Sequence, residues 1–379
     1  MILFDLTGCQ PFGKTKYHGG GLYGYTIFKT LVASYKDVVA YYDFGRFILP
    51  EIIDIIKKAN ISSIDARKYD LSNAYLKSKA TYIYSPLYSP KYKKQIHRGD
   101  LFVITLHGLR DLEMNRDEYE IMYAQNIREL AKSILKKTIF YKIIQKKEYC
   151  QYRDILSNEN VSIITVSNHS KYSISTFFPE ISLDNIKVFY SPFEYGNSSV
   201  ERTNKYYLIV SANRWIKNSY RTIKAMDMLF DEHPKIEGIV VVTGLRKESS
   251  IYNGIRNKDR FIFKGYVSSM ELENLYANAY ALLYLTLNEG FGYPPLEAAR
   301  YGVPTIASPF SSIPEICGDS VIYANPYDEF EIINRVLQLN DCTCYDTYSK
   351  KAKSHFGEIS LRQKSDLLDL IKYLIKKDV

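Results

Sequence analysis

The chain has 379 residues, 46% of them apolar and 24% charged, with a formal net charge of +8. This length suits two α/β domains of ordinary size, each with its own core, and the Gly and Pro content excludes a fibrous or largely disordered chain. The moderate positive balance suits an anionic ligand or surface without calling for nucleic acid, and no apolar run approaches the roughly 20 residues that cross a bilayer.

The N-terminus, MILFDLTGCQ, lacks the basic start and cleavage site of a secretory signal. Cys9, Cys150, Cys317, Cys342 and Cys344 are scattered. Only Cys342 and Cys344 lie close together, and no second cluster completes a zinc site, so reduced thiols in a cytoplasmic protein are expected.

Short apolar runs alternate with longer helical patterns along the whole chain, which predicts parallel sheets in an α/β architecture. In the first half the expected strands are residues 2–7, 38–42, 81–85, 101–107 and 162–167, with helices from about Gly24 to Ser34 and from about Tyr119 to Leu135. Residues 189–205, FYSPFEYGNSSVERTNK, read as a linker of polar residues and turn-formers. The alternation then restarts, with strands at 206–211, 238–244, 261–265, 281–286 and 304–308 and helices from about Ser219 to Phe230 and Ser269 to Ala279. A last helix is expected from about Leu361 to Lys377.

Near the start, YHGGGLYGYT (17–26) spells G-x-G-x-x-G with Gly19, Gly21 and Gly24, and a later apolar run ends at Asp43. In a nicotinamide or flavin enzyme those glycines directly follow the first strand. Here about a dozen residues separate Thr7 from Gly19, so pyrophosphate cannot sit on that turn in the usual way and Asp43 loses its ribose-binding meaning.

Residues 288–304, NEGFGYPPLEAARYGVP, carry more information. They read as a strand end, a glycine-rich turn and a short helix, with Pro294 and Pro295 at its entry and Gly302 at its stop. Gly290 and Gly292 permit close backbone approach to a ligand. Glu289 and Glu297, seven residues apart between them, are placed to face one crevice at the carboxyl ends of the strands. Each acid alone has an ordinary explanation, as a solvated loop residue or as a partner of the helix dipole.

The whole string resembles the signature of GT-B glycosyltransferases of family 4, in which two glutamates flank GFG-x-P. The resemblance implies that Glu297 grips the ribose hydroxyls of a nucleotide-sugar donor, that Glu289 touches the transferred sugar, and that Gly290, Phe291, Gly292 and Tyr293 line the donor. It extends to SANRWIKNSYRTIKAM (211–226), where Arg214 and Lys217 correspond to the cations that neutralise the donor diphosphate, although their spacing is shorter than in many members. It extends also to the segment around Gly265, Tyr266 and Val267, which would cradle the base, and to 307–326. In the first half, ITLHGLRD (104–111) sits where the family has a strand ending in a histidine, which implies a catalytic place for His107 near the donor sugar. Gly20 and Gly21 would line the interdomain cleft near the donor phosphates, with His18 close to the acceptor.

The expected architecture is therefore GT-B: an acceptor-side Rossmann-like domain at 1–195, a nucleotide-sugar-binding Rossmann-like domain at 196–358, and a C-terminal helix at 359–379 that packs back on the first. The activity implied is retaining transfer of a sugar from a nucleotide diphosphate sugar to a hydroxyl of a glycan or lipid-linked acceptor, in assembly of a bacterial surface polysaccharide such as lipopolysaccharide or capsule. No cofactor or metal is expected, because cationic side chains and backbone amides stabilise the leaving diphosphate. The D-x-D-like triplet at 111–113 reads as a solvated turn. A glycosidase would need its two carboxyls close across one sugar. A non-catalytic nucleotide-sugar binder and an epimerase of the same architecture are the alternatives.

From Arg128 to Arg153 the chain carries eight Lys or Arg against two Glu, interleaved with Ile134, Leu135, Ile139, Phe140, Tyr141, Ile143 and Ile144. This pattern fits either a helix packed on the core with a solvated lysine face or a basic amphipathic segment lying on an anionic bilayer at the inner face of the cytoplasmic membrane.

Overall fold

The computed structural model describes the whole chain except residues 12–18, 98, 115–116, 125, 137, 139, 197, 202–204 and 379. His18 and Ile139, singled out above, lie outside the described residues.

The chain forms two compact units. The first comprises Met1–Leu112, Lys146–Glu194 and Leu361–Val379; the second comprises Glu113–Gln145 and Tyr195–Ser360. Residues 113–145, read from sequence as part of the first domain, thus pack with the second unit.

The first sheet contains β1 (Ile2–Asp5), β2 (Val38–Tyr42), β3 (Ser62–Asp65), β4 (Tyr82–Ser85), β5 (Phe102–Leu106), β6 (Val161–Thr165) and β7 (Ile186–Val188), in the spatial order β3-β2-β1-β4-β5-β6-β7. Every pairing is parallel, with Leu3 between Val39 and Ile83 at its centre. The second sheet contains β8 (Tyr206–Ile209), β9 (Ile239–Thr243), β10 (Phe261–Gly265), β11 (Ala281–Tyr284), β12 (Thr305–Ala307) and β13 (Ile322–Tyr323), in the order β10-β9-β8-β11-β12-β13, again all parallel. Strands covered by helices on both faces read as near-continuous apolar runs, and VVAYY, FVITL, IVVVT and ALLY are such runs.

In each sheet the strand order reverses once, between β1 and β4 and between β8 and β11. At such a point the loops leaving the carboxyl ends of two neighbouring strands diverge, and a crevice opens between them.

Tyrosine fills much of the interior. Tyr23, Tyr41, Tyr82, Tyr84, Tyr92, Tyr190, Tyr207 and Tyr276 are among the largest fully buried side chains. Their hydroxyls find partners: Tyr84 with Thr105 at 3.0 Å, Tyr92 with Asp5 at 2.6 Å, and Tyr82 with the carbonyl of Leu374 at 2.7 Å. Buried phenols are usually satisfied in this way, because an unpaired hydroxyl away from water is costly.

The last helix runs unbroken from Cys342 to Asp378, starting well before the sequence pattern suggested. Its C-terminal part belongs to the first unit, where Leu370, Ile371 and Leu374 are buried and Gln363 donates to the carbonyl of Ser191 at 2.6 Å.

Candidate active site

In the second unit, the crevice between β8 and β11 is bordered by the loops that carry most of the candidate residues. After β8 the chain passes Ser211 and Arg214, makes a single turn at Trp215–Lys217, reverses at Asn218 with φ 55°, and enters the helix Ser219–Glu232. After β11 it passes Thr286 to Gly292 and enters the helix Tyr293–Ala299. The amide of Leu287 donates to the carbonyl of Ile216 at 2.8 Å, which holds the two loops side by side.

At this junction Lys217 and Glu289 meet. The Lys217 ammonium donates to Glu289 Oε1 at 2.6 Å and to the Tyr284 hydroxyl at 2.7 Å, and it lies 4.8 Å from the centre of the Tyr284 ring. Thr286 Oγ1 donates to the same carboxylate oxygen at 2.8 Å. The two charged side chains are only 7% and 10% exposed. Charges this far from water persist only when paired and hydrogen-bonded, as they are here. Burial and the Glu289 carboxylate push the Tyr284 phenol well above its usual range, so it stays a neutral donor and acceptor.

The glycine turn is pinned from behind. The Glu289 amide donates to Ser311 Oγ at 2.7 Å, and Ser312 Oγ donates to the carbonyls of Glu289 at 3.0 Å and Phe291 at 2.9 Å. Gly292 has φ 98°, and a Cβ there would stand 2.6 Å from Ile313 Cδ1, so both backbone shape and space require glycine.

Glu297 sits in the following helix, half-buried, with a hydrogen bond from the Tyr276 phenol. Burial pushes its carboxyl up to about 7; the Tyr276 bond opposes this, Glu273 adds to it, and Lys217 opposes it. Lys217 therefore acts on both glutamates. Arg214 is exposed at the mouth of the β8 loop and acts electrostatically on Tyr284. Gly265 ends β10 with φ 67° under the side chain of Arg246, Tyr266 is 63% exposed and Val267 half-buried. These three follow the edge strand of the sheet, away from the Lys217–Glu289 junction.

A further group of residues at this junction escaped the sequence reading. Arg221 is buried and makes a two-pronged pair with Asp117, at 2.8 and 3.2 Å, and it donates to Asn218 Oδ1 at 3.0 Å. Tyr119 and Tyr327 flank its guanidinium at 4.4 and 5.0 Å. Met114 packs with Ile216, Leu287 and Trp215. Asn288 Nδ2 donates to Glu113 Oε2. Glu113 belongs to the triplet read as a solvated turn; it ends the short helix Arg110–Glu113 instead. Nothing local signals these contacts, since Asp117 and Arg221 are 104 positions apart.

In the first unit, Gly20 and Gly21 are not in a loop. They belong to the first turn of the helix Gly19–Ser34 that follows β1. A Cβ on Gly20 would stand 2.6 Å from Leu87 Cδ2, and one on Gly24 would stand 2.3 Å from Cys9 Sγ, so these glycines let the helix settle against the segments after β1 and β4. His107 follows β5. Its Nε2 is 3.0 Å from the carbonyl of Pro86, and its ring meets Tyr23 edge-on at 4.5 Å. His107, Pro86, Leu87 and the glycine helix thus gather at the carboxyl edge of the first sheet.

Residues 194–355 match the family described as glycosyl transferases group 1. The match covers less than half of the chain. It contains Arg214, Lys217, Glu289 and Glu297. Over 173 residues the chain is 31% identical to the O-antigen chain mannosyltransferase RfbU of Salmonella typhimurium, covering 44% of this chain and 47% of RfbU. Over 76 residues it is 42% identical to O-antigen chain mannosyltransferase B of Escherichia coli, covering 20% of each. The matched stretches thus span about half or less of these curated relatives.

Among solved structures the chain is similar to WaaG, a glycosyltransferase involved in lipopolysaccharide biosynthesis, with a TM-score of 0.64, 14% identity, and coverage of 98% of this chain and 99% of that one. It is similar also to Anabaena Alr3699/HepE in complex with UDP and glucose, with a TM-score of 0.64, 14% identity and 99% coverage of both. These likenesses carry the fold, which is GT-B as expected. No helix among the described residues is long and apolar enough to cross a membrane.

Proposed function

We propose that the protein is a retaining, nucleotide-sugar-dependent glycosyltransferase that extends a bacterial surface polysaccharide, with mannose as the first sugar to test. The observation that carries this reading is the buried Lys217–Glu289 pair beside a pinned glycine turn, at the strand-order reversal in the stretch that matches the group 1 glycosyl transferases. The relatives' printed names, O-antigen mannosyltransferases, supply the sugar and the setting.

In this reading Glu297 accepts the ribose hydroxyls and Glu289 faces the transferred sugar. Arg214, Lys217 and the backbone amides of the Gly290–Gly292 turn stabilise the diphosphate as the glycosidic bond breaks. Removing one such fixed donor elsewhere costs roughly 3 to 4 kcal/mol of transition-state stabilisation, which sets the size of effect to look for. Gly265, Tyr266 and Val267 serve the base, and Phe291 and Tyr293 the wall of the donor pocket. The reaction as proposed uses no metal, and its rate should survive EDTA.

The proposed acceptor is a glycan or a lipid-linked glycan, reached from an anionic membrane surface. The helix Ile127–Lys136 supports this part of the reading: Ile127 is 84% exposed and Ile134 50%, and Ile143 in the next helix is 62% exposed. Exposed Arg128, Lys132, Lys142, Lys146 and Lys147 accompany them. Apolar side chains in water beside a row of cations match an anionic bilayer.

A thermal-shift panel of GDP, UDP, GDP-mannose and UDP-glucose tests the donor reading. A ligand of the native state raises the melting temperature according to its concentration relative to Kd. Stabilisation by one nucleotide sugar over the others supports the proposal; no response to any of them rejects it.

A further inference from the structure

We propose that Glu113 is a positioning residue that sets the amide of Asn288 for recognition of the donor's sugar, a role that rests on the donor reading above. Asn288 immediately precedes Glu289, and both are buried, at 5% and 8% exposure. The backbone around them is held without Glu113: Leu287 N by Ile216 O, Glu289 N by Ser311, and Glu289 O by Ser312. What Glu113 fixes is the side chain between these anchors. An ionised carboxylate only accepts, so the Asn288 group that faces Glu113 must be its NH₂. The amide's Oδ1 is then turned the other way as an acceptor, next in sequence to the Glu289 carboxylate. Two acceptors in adjacent positions suit the hydroxyls of a hexose.

The segment that carries Glu113 is itself fixed to the other side of the junction. Asp117, four positions on, pairs with buried Arg221, which bonds Asn218, the residue directly after Lys217. Tyr123 OH sits 3.0 Å from Ser219 Oγ and accepts from the Tyr220 amide at 2.8 Å. One stretch of chain therefore grips the neighbour of each member of the Lys217–Glu289 pair. Asp117 and Arg221 are sealed and structural in character, whereas Glu113 is half-buried at the rim and touches the turn through a side chain.

Calorimetric titration of the full-length wild type, Glu113→Ala, Glu113→Gln, Asn288→Ala and the Glu113→Ala/Asn288→Ala double variant tests the role. The titrants are the nucleotide sugar that stabilises the wild type and its sugar-free nucleoside diphosphate. Glu113→Ala should weaken the nucleotide sugar about tenfold and leave the diphosphate within about twofold. Glu113→Gln, whose carbonyl can still accept from Nδ2, should stay near wild type, and the double variant should bind as Asn288→Ala does. Equal weakening of both ligands, unchanged affinity in Glu113→Ala, or additive losses in the double variant would each overturn the role of Glu113 while leaving the donor site standing. A wild type that binds no nucleotide sugar would remove both proposals.

Discussion

Lys217 and Glu289 form an ion pair almost closed to solvent, Nζ to Oε1 at 2.6 Å, with Tyr284 and Thr286 completing the hydrogen bonds around it. The pair joins the β8 loop to the β11 loop, so it is a structural tie between them. Removing one partner leaves an uncompensated buried charge, which typically costs about 3 to 5 kcal/mol, whereas removing both can be nearly neutral. Lys217→Met and Glu289→Gln should each destabilise strongly, and the double variant by clearly less than their sum. Trp215, the chain's one tryptophan, stands two residues from Lys217, so urea unfolding followed by its fluorescence reads this junction directly. Additive losses would show that the pair is not coupled.

Glu297 should make stability depend on pH in a definite direction. Its folded value of about 7 lies above its ordinary 4.5, so between those values the folded protein holds a proton that the unfolded chain has released. Stability from this group falls as pH rises through that window and stays lost above it. Glu297→Gln should therefore stabilise the protein at pH 8 by about 1 to 3 kcal/mol, toward the low end because the group is only half-buried, and change little at pH 4.5. The same variant should weaken donor binding at every pH. Melting curves at the two pH values, with and without nucleotide, separate the effects.

Gly292→Ala should cost roughly 1 to 2 kcal/mol for the left-handed backbone alone. The new methyl would also meet Ile313 Cδ1, so Ile313→Val should recover part of the loss but never the backbone share. Differential scanning of the single and double variants checks this, and full recovery would show that space alone demands glycine there.

Binding to anionic vesicles should fall as salt rises and should be lost in an Ile127→Asp/Ile134→Asp variant that melts normally. Flotation with vesicles of phosphatidylglycerol and phosphatidylcholine measures it. Salt screens the lysines over about 10 Å at 0.1 M, so part of the affinity should survive through the apolar side chains.

Strands such as VVAYY and IVVVT announce themselves because they are buried on both faces. β3, β7 and β13 were invisible in sequence because they are two to four residues long and, in SSID, three residues of the four are polar. The glycines at 19–24 suggested a loop by composition. They lie in a helix, and Gly20 and Gly24 are glycines there because Leu87, Cys9 and Pro86 approach too closely for side chains, a fact about packing that no local pattern contains. Glu289 and Glu297 were legible because one short string carries both. Glu113, Asp117 and Arg221 were not, since they act across a hundred or more positions and each looks like an ordinary surface charge alone.

The tyrosine-built interior has a consequence for alkaline solution. Burial lifts Tyr23 and Tyr207 to about 12 and Tyr84, Tyr92 and Tyr276 well beyond their usual range. Once unfolded, the same phenols ionise near 10, so base draws the chain out of its native state and does so more steeply with each phenolate released. Ultraviolet titration at 295 nm should accordingly show a muted first step from exposed rings, then an abrupt rise as the remaining rings ionise together with collapse of the sheets.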